Sequence, residues 1–358
     1  MRSSGSLWQP GPARIAVFRA LQLGDMLCAV PALRALRKAA PQARITLIGL
    51  PWAQEFVRRF RRYVDDLLVF PGFPGMTEQA SDIAALPRFF QEAQQREFDL
   101  TIQLHGSGAV TNVIGTLLGA KHQAGFYMDH AYRPNTRYFM PWPGEEPEIT
   151  RYLQLMHFLG VPLQGEELEF PLFAEDVEAL KVVFDTYDLQ PGRYLCMHPG
   201  ARLPSRRWSA QRFGAVAQTL AEQGYRIVLT GSAAERPIAD KVLHCTQAPI
   251  VNLMGKTGLG TLVALIDASG LLVCNDTGVS HIAAAVGTPS VVVACGGSVG
   301  RWAPLNRQRH RVLFHAVNCR PCEHYDCPIG HPCADGVSTD AVAHEAFALL
   351  RRGVRHDG

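Results

Sequence analysis

The chain has 358 residues, of which 47% are hydrophobic and 19% charged, and its formal net charge is +3. This length exceeds the size at which one hydrophobic core normally stops growing, so we expect two domains. The charge is too small and too scattered for nucleic acid to be the main partner, and no apolar run is long enough to span a membrane. Residues 1–13 contain no apolar segment of the signal-peptide kind, so we predict a flexible leader and a cytoplasmic protein.

The first half alternates short apolar runs with helical patterns. Strands are predicted at 14–18, 44–49, 67–70 and 98–104, and helices around 32–39, 54–61, 83–95 and 110–118. This alternation is typical of a parallel sheet covered by helices on both faces. We therefore predict a Rossmann-like domain over residues 14–175.

The second half repeats the same alternation. Strands are predicted at 194–197, 226–230, 271–274 and 290–294, and helices around 210–223, 237–243 and 261–268. We predict a second Rossmann-like domain over 190–338, followed by a helix and tail over 339–358, with the linker between the domains inside 165–190. Two doubly wound domains that face a cleft form the α/β architecture called GT-B, which is the predicted fold class. Ligands of such sheets bind beyond the carboxyl ends of the strands.

Gly24 and Asp25 follow the first predicted strand through a short loop. A carboxylate held at a loop tip can accept a proton from a substrate hydroxyl. An ordinary aspartate at the start of a helix is the alternative. Pro31 stands where it would interrupt a helix that begins at Asp25, so we expect irregular opening turns.

Two segments of the second half carry chemistry suited to a nucleotide. The loop that begins at His198 and Gly200 continues to Arg206, whose guanidinium can bind phosphate oxygens in bidentate fashion. Glu235 follows another predicted strand, and its carboxylate can accept hydrogen bonds from paired ribose hydroxyls. Solvent-exposed arginines and an ordinary acid in the first turn of a helix remain the alternatives.

The most informative segment is 274–289. Asp276, Thr277 and Gly278 follow a buried strand and open an apolar helix, whose N-terminal dipole favours a phosphate. His281 lies four residues beyond Thr277 and therefore on the same helix face. The alternative is a helix capped by Asp276, with His281 as a packed neighbour.

Four cysteines, Cys319, Cys322, Cys327 and Cys333, lie within fifteen residues. Disulfides are disfavoured in a reducing compartment, so this spacing predicts a structural zinc or iron ion held by four thiolates. A reduced loop without metal is the alternative.

Three of these segments together resemble the ADP-heptose:lipopolysaccharide heptosyltransferase family, glycosyltransferase family 9. They are the Gly24–Asp25 segment with Pro31, the loop from His198 to Trp208, and the Asp-Thr-Gly-x-x-His run from Asp276 to His281. They occur in the family's order and span about residues 14–295. The family usually has lysine at the position of Arg206, so here the charge is kept and its geometry differs.

The resemblance implies an inverting glycosyltransferase that moves a heptose from ADP-heptose onto an acceptor hydroxyl in the inner core of lipopolysaccharide. It implies that Asp25 is the catalytic base and that no cofactor is needed for catalysis. We assign the acceptor to Gly24, His105 and Gly106. The donor-binding residues implied are His198, Gly200, Arg206, Glu235, Asp276, Thr277, Gly278 and His281.

Several alternatives stay open at this point. The acceptor can be a protein or another glycan instead of the lipid A core, and a nucleotide-sugar epimerase can share the architecture. A non-enzymatic nucleotide-binding module would lack a base, and a dehydrogenase would depend on an incomplete glycine pattern at 106–111 alone. The basic run 58–62 suits an anionic acceptor or contact with the inner membrane surface, and a solvated helix end is its alternative.

Overall fold

The computed structural model describes residues 7–9 and 11–353. The chain divides into two compact units, Met1–Glu167 and Leu168–Gly358. Most of the predicted leader, residues 1–6 and 10, lies outside the described residues. The boundaries predicted for the two functional domains stay predictions, and helix Ala174–Tyr187 fills most of the interval left between them. Within the described ranges, no helix combines the length and apolar character needed to cross a membrane.

The first unit is built on a parallel sheet in which strand β1 is central. The strand order is β3-β2-β1-β4-β5-β6, and every pairing is parallel. The strands are β1 Arg14–Phe18, β2 Arg44–Gly49, β3 Asp66–Val69, β4 Leu100–Gln103, β5 His122–Tyr127 and β6 Phe139–Pro141. Apolar side chains of β1 are fully buried, as expected for a strand covered on both faces.

Five α-helices flank this sheet in the described part of the first unit. They are α1 Leu23–Ala39, α2 Ala53–Arg59, α3 Leu86–Gln95, α4 Thr111–Leu117 and α5 Glu148–Phe158. Helix α1 packs on α5 and includes Pro31 without interruption. The expectation of irregular opening turns was therefore wrong. Proline removes one backbone donor, but burial of the surrounding apolar side chains keeps the helix continuous.

The second unit repeats this topology with a sheet in the order β12-β11-β10-β7-β8-β9. Its strands are β7 Tyr194–His198, β8 Arg226–Leu229, β9 Ile250–Asn252, β10 Leu271–Asn275, β11 Ser290–Val293 and β12 His310–Leu313. Its helices are α6 Ala174–Tyr187, α7 Ala210–Glu222, α8 Arg236–His244, α9 Leu259–Asp267, α10 Gly278–Val286, α11 Val299–Trp302, α12 Pro332–Asp335 and α13 Thr339–Gly353. Two doubly wound parallel sheets confirm the predicted α/β class.

Strand order reverses once in each sheet. The reversal lies between β1 and β4 in the first unit and between β7 and β10 in the second. Loops on either side of such a point run to opposite faces of the sheet and leave room for a ligand. The predicted catalytic, acceptor-binding and donor-binding residues belong mostly to the segments that follow these four strands, and Glu235 follows β8.

Candidate functional site

Asn275 organises the β7/β10 reversal of the second unit. Its side chain is fully buried at the end of β10. The Oδ1 atom accepts a hydrogen bond from the backbone N–H of Trp208 at 2.9 Å, and Nδ2 donates to the carbonyl of Pro199 at 2.8 Å. The loop after β7 is thereby tied to the start of the segment that leads to α10. The sequence analysis missed Asn275, whose signal is an amide at the last position of an otherwise apolar strand.

Thr277 occupies the N-cap of α10 and makes no side-chain capping bond. Its hydroxyl is buried and has no hydrogen-bond partner among the described residues. Gly278 is the first helical residue. Asp276 is therefore not the cap, so the alternative of a helix capped by Asp276 is wrong. The N-terminal dipole of α10 and an unused buried hydroxyl favour an anion at this point.

Three arginines surround Asp276. Burial raises the pKa of Asp276 to about 6, although Arg206, Arg320 and Arg307 oppose the shift. A Cβ at Gly297 would meet Asp276 Oδ2 and lie 3.2 Å from Arg206 Nη1, so a larger residue there would displace these two charged groups.

Arg206 is anchored at one end of its guanidinium group. Its Nη2 donates to the carbonyl of Cys322 at 3.1 Å. Its Nε is buried and has no partner in the part of the chain that the structure describes. A guanidinium with an unused N–H, close to the N-terminus of α10, suits a phosphate group. The sequence analysis did not single out Arg307 and Arg320, since nothing in their local pattern distinguishes them from surface arginines.

Glu235 lies against the backbone of the loop after β7. Its Oε2 accepts hydrogen bonds from the N–H and the hydroxyl of Ser232, both at 2.8 Å. A Cβ at Gly200 would meet Oε1, so a larger residue there would displace this carboxylate. Burial lowers the pKa of His198, with Glu235 opposing, and His198 Nδ1 lies 3.1 Å from the hydroxyl of Thr230. The structure thus places the predicted residues His198, Gly200 and Glu235 together.

His281 is 4% exposed on α10. Its ring meets Trp302 edge to face, with 6.3 Å between ring centroids. The histidine is packed beneath the start of the helix, and its contribution to ligand binding stays a prediction.

Asp25 lies half-buried in the first turn of α1, after β1. Its backbone carbonyl accepts hydrogen bonds from Nε and Nη2 of Arg19, the first at 3.0 Å. The same guanidinium donates to the carbonyl of Leu104, beyond β4. Arg19, which the sequence analysis missed, therefore joins the loops on both sides of the β1/β4 reversal.

Arg19 belongs to a fully buried polar network. Its Nη1 donates to the hydroxyl of Tyr152 at 2.6 Å, and that hydroxyl donates to Glu148. Arg151 donates to the other oxygen of Glu148 at 2.6 Å. Burial by itself would lower the pKa of Arg19, but Tyr152, Glu148 and Asp25 raise it. The guanidinium therefore stays charged.

His105 supports the same loop from β4. Its Nδ1 accepts a hydrogen bond from the backbone N–H of Ala20 at 3.1 Å, so the ring proton is assigned to Nε2. That nitrogen lies 3.6 Å from Glu78, whose pKa is lowered by the His105 ring. Gly106, next in the chain, adopts φ +65° with open space around it. The predicted acceptor residues His105 and Gly106 thus follow β4, the neighbour of the strand that precedes Gly24 and Asp25.

The four clustered cysteines differ in exposure. Cys322 and Cys333 are buried, Cys327 is half-buried and Cys319 is exposed. Burial raises the pKa of the Cys333 thiol, and Cys327 and Cys319 raise it further. Thiolates suit zinc or iron, yet in the described part of the chain no three His, Cys, Asp or Glu side chains come close enough together to hold a metal. The metal site stays a prediction.

The chain is similar to known proteins in sequence and in fold. Residues 86–332, more than half of the chain, match the sequence profile of glycosyltransferase family 9 (heptosyltransferase). Lipopolysaccharide heptosyltransferase 2 of Escherichia coli is 24% identical over 358 residues, which covers 94% of this chain and 98% of that relative.

Two solved structures are similar over almost the whole chain. A glycosyltransferase of family 9 from Veillonella parvula has a TM-score of 0.79 at 23% identity, covering 95% of this chain and 98% of that chain. The E. coli ADP-heptose lps heptosyltransferase II has a TM-score of 0.73 at 22% identity, covering 95% and 99%. These likenesses confirm the predicted GT-B fold class.

The raised pKa of Asp276 predicts a pH-dependent cost to the folded state. Its pKa is about 6 when folded and 3.8 ordinarily, so stability is lost as the pH rises between these values. Asp276→Asn removes the charge. Its free energy of unfolding, relative to that of the parent, should therefore rise by on the order of 2 kcal/mol from pH 4 to pH 7.5. Urea unfolding at both pH values measures this, with Asp185→Asn, on the exposed face of α6, as the control. A difference from the parent that does not change with pH would contradict the prediction.

The metal prediction for the cysteine cluster has a direct test. We expect about one zinc or iron ion per chain in protein purified without chelator, because four thiolates close a tetrahedral site. Cys322→Ser should lower the metal content and the thermal stability, whereas Cys245→Ser, at an exposed cysteine outside the cluster, should not. Metal-free, active protein whose four clustered thiols all react with a thiol reagent would end the proposal.

Proposed function

Because this chain belongs to glycosyltransferase family 9, the heptosyltransferase family, we propose that it moves a heptose from ADP-heptose onto a hydroxyl group of the lipopolysaccharide inner core. The name of the E. coli relative supports the acceptor, and that of a similar solved structure supports the donor. One structural observation carries the donor site: at the N-terminus of α10, the Thr277 hydroxyl and the nearby Arg206 Nε are buried and have no hydrogen-bond partner among the described residues.

The donor's diphosphate binds at Thr277, Gly278 and Arg206 in this proposal. A helix N-terminus and a guanidinium together stabilise the negative charge that develops on the leaving ADP. Glu235 accepts hydrogen bonds from the ribose hydroxyls, and His198, whose pKa is lowered by burial, is neutral at pH 7. Half-buried Asp276 and buried His281 complete the donor site in this proposal.

Asp25 acts as the base. As the acceptor oxygen attacks the anomeric carbon, Asp25 takes the hydroxyl proton, and the bond between that carbon and the ADP oxygen breaks with its electron pair. Attack from the face opposite the leaving group inverts the configuration at the anomeric carbon. Arg19 fixes the Asp25 backbone through two hydrogen bonds, so the carboxylate starts from a defined position. No step calls for a cofactor.

His105, Gly24 and Gly106 face the acceptor in this proposal. Membership of a heptosyltransferase family does not favour the epimerase, the dehydrogenase or the non-catalytic module. If the acceptor is a protein or another glycan, heptose should be transferred from ADP-heptose to that acceptor and not to the lipid A core.

We also propose that the enzyme works on the cytoplasmic side and touches the inner membrane through the basic run 58–62, at and just beyond the C-terminal end of α2. Arg58, Arg61 and Arg62 are exposed there, whereas Arg59 is buried against Glu55. Each exposed arginine near an anionic surface contributes about 1 kcal/mol.

Charge reversal at this end of α2 tests the membrane contact. Arg61→Glu/Arg62→Glu should sediment less with vesicles of phosphatidylethanolamine and phosphatidylglycerol than the parent does. Lys241→Glu/Arg352→Glu makes the same change of net charge at other exposed positions and should sediment like the parent. If the two double variants lost sedimentation with vesicles equally, there would be no local contact at this run.

Asp25→Asn tests the proposed reaction. The substitution keeps the shape of the side chain and removes its basicity, so transfer from ADP-heptose should fall by about 10²–10⁴-fold. Binding of ADP, measured by calorimetry, should stay within twofold of the parent, and Asp185→Asn serves as the matched control. Turnover by Asp25→Asn close to that of the parent would remove Asp25 from the mechanism.

A further inference from the structure

Residues 319–333, here called the cysteine-rich segment, make four hydrogen bonds to Ser205 and Arg206. The backbone N–H of Ser205 donates to the carbonyl of Tyr325 at 3.0 Å, and its hydroxyl donates to the carbonyl of His324 at 2.6 Å. His331 Nε2 donates to the carbonyl of Ser205 at 2.8 Å. The fourth bond joins Arg206 Nη2 to the carbonyl of Cys322 at 3.1 Å.

Ser205 is bonded to this segment through all of its polar groups. The residue is 2% exposed and lies in the short 3-10 turn Pro204–Arg206. Its N–H, its carbonyl and its hydroxyl all have partners in the cysteine-rich segment. A buried residue held in this way has little freedom, and Arg206 follows it directly in the chain.

His331 connects the cysteines to this turn. Because its Nε2 donates to Ser205, the proton is assigned to that nitrogen. Its backbone N–H donates to the sulfur of Cys327 at 3.2 Å. One residue therefore joins a thiol of the cluster to the turn that carries Arg206.

Gly296 closes the arrangement on the side of Asp276. It adopts φ +68°, and a Cβ there would lie 3.0 Å from the Cβ of Cys322 and 3.6 Å from the carbonyl oxygen of Ser205. The N–H of Cys322 donates to the Gly296 carbonyl at 2.8 Å. The cysteine-rich segment, Ser205 and the glycines beside Asp276 are thus in mutual contact.

We infer that the cysteine-rich segment positions Arg206 for the phosphates of the donor, with Ser205 and His331 as positioning residues. The inference rests on the proposed function, since it takes Arg206 to bind the donor. It assigns the segment a role in donor affinity that holds whether or not the cysteines bind metal.

Calorimetric titration with ADP tests whether Ser205 acts through Arg206. Ser205→Ala removes one buried hydrogen bond and should weaken ADP binding about three- to tenfold. The double variant Ser205→Ala/Arg206→Ala should bind ADP no more weakly than Arg206→Ala does, because the effect of Ser205 needs the arginine. His331→Asn should weaken ADP binding in the same way as Ser205→Ala, and again only when Arg206 is present. Asparagine suits the left-handed backbone at φ 65°, but its side chain is too short to reach Ser205.

Ser269→Ala provides the matched control. Ser269 is also buried, and its hydroxyl donates to the carbonyl of Ile266 at 2.7 Å, away from the cysteine-rich segment. This variant should lose thermal stability and keep the ADP affinity of the parent. If Ser205→Ala lost stability but not ADP affinity, or weakened ADP binding equally with and without Arg206, the inference would be wrong. If Arg206→Ala itself bound ADP like the parent, the proposed donor site would fall and the inference with it.

Discussion

Two buried polar side chains, Arg19 and Asn275, hold together loops that the sheet topology sends apart. Arg19 follows β1 and binds the carbonyls of Asp25 and Leu104, on the two sides of the reversal in the first sheet. Asn275 ends β10 and binds the backbone of Pro199 and Trp208, in the loop after β7. In both units a space left by strand order becomes a site of defined shape because one side chain spans it.

Burying the charged Arg19 side chain costs more free energy than burying the neutral Asn275 side chain. A buried guanidinium is tolerated only when its own charge and N–H groups are paired, which explains the accompanying Tyr152, Glu148 and Arg151. A neutral amide needs only its own two or three partners. Arg19 holds the backbone of Asp25, whereas neutral Asn275 lies directly before the anion site proposed at Thr277 and Gly278.

Sequence patterns predicted the central strands and most of the helices because hydrophobic periodicity is a local property. They also placed Asp25, Arg206 and Asp276 correctly after strands, since the carboxyl ends of parallel strands share one edge. Local patterns do not reveal Arg19, Asn275 or Glu78, because most of their partners are distant in the chain. An arginine or asparagine at the end of a strand has no distinguishing sequence pattern. The short edge strand β6 ends in proline and offers too little alternation to predict. Pro31 misled us because its cost is local and the burial that offsets it is tertiary.

The turn that carries Arg206 lies far along the chain from the segment that supports it, so the two are synthesised at different times. Ser205 and His331 are 126 positions apart, and strands β8 to β12 lie between them. A ribosome therefore completes Arg206 long before the residues that hold it have been made. During that interval the sheet around β7 and β8 can begin to form. The loop between Ser205 and His331 can close, with its loss of chain entropy, only after the last part of the unit has been synthesised. A chain that ended before residue 319 would contain all the strands of the second sheet and lack these supports. Under the proposed function, nucleotide binding is therefore acquired only at the end of translation of this unit.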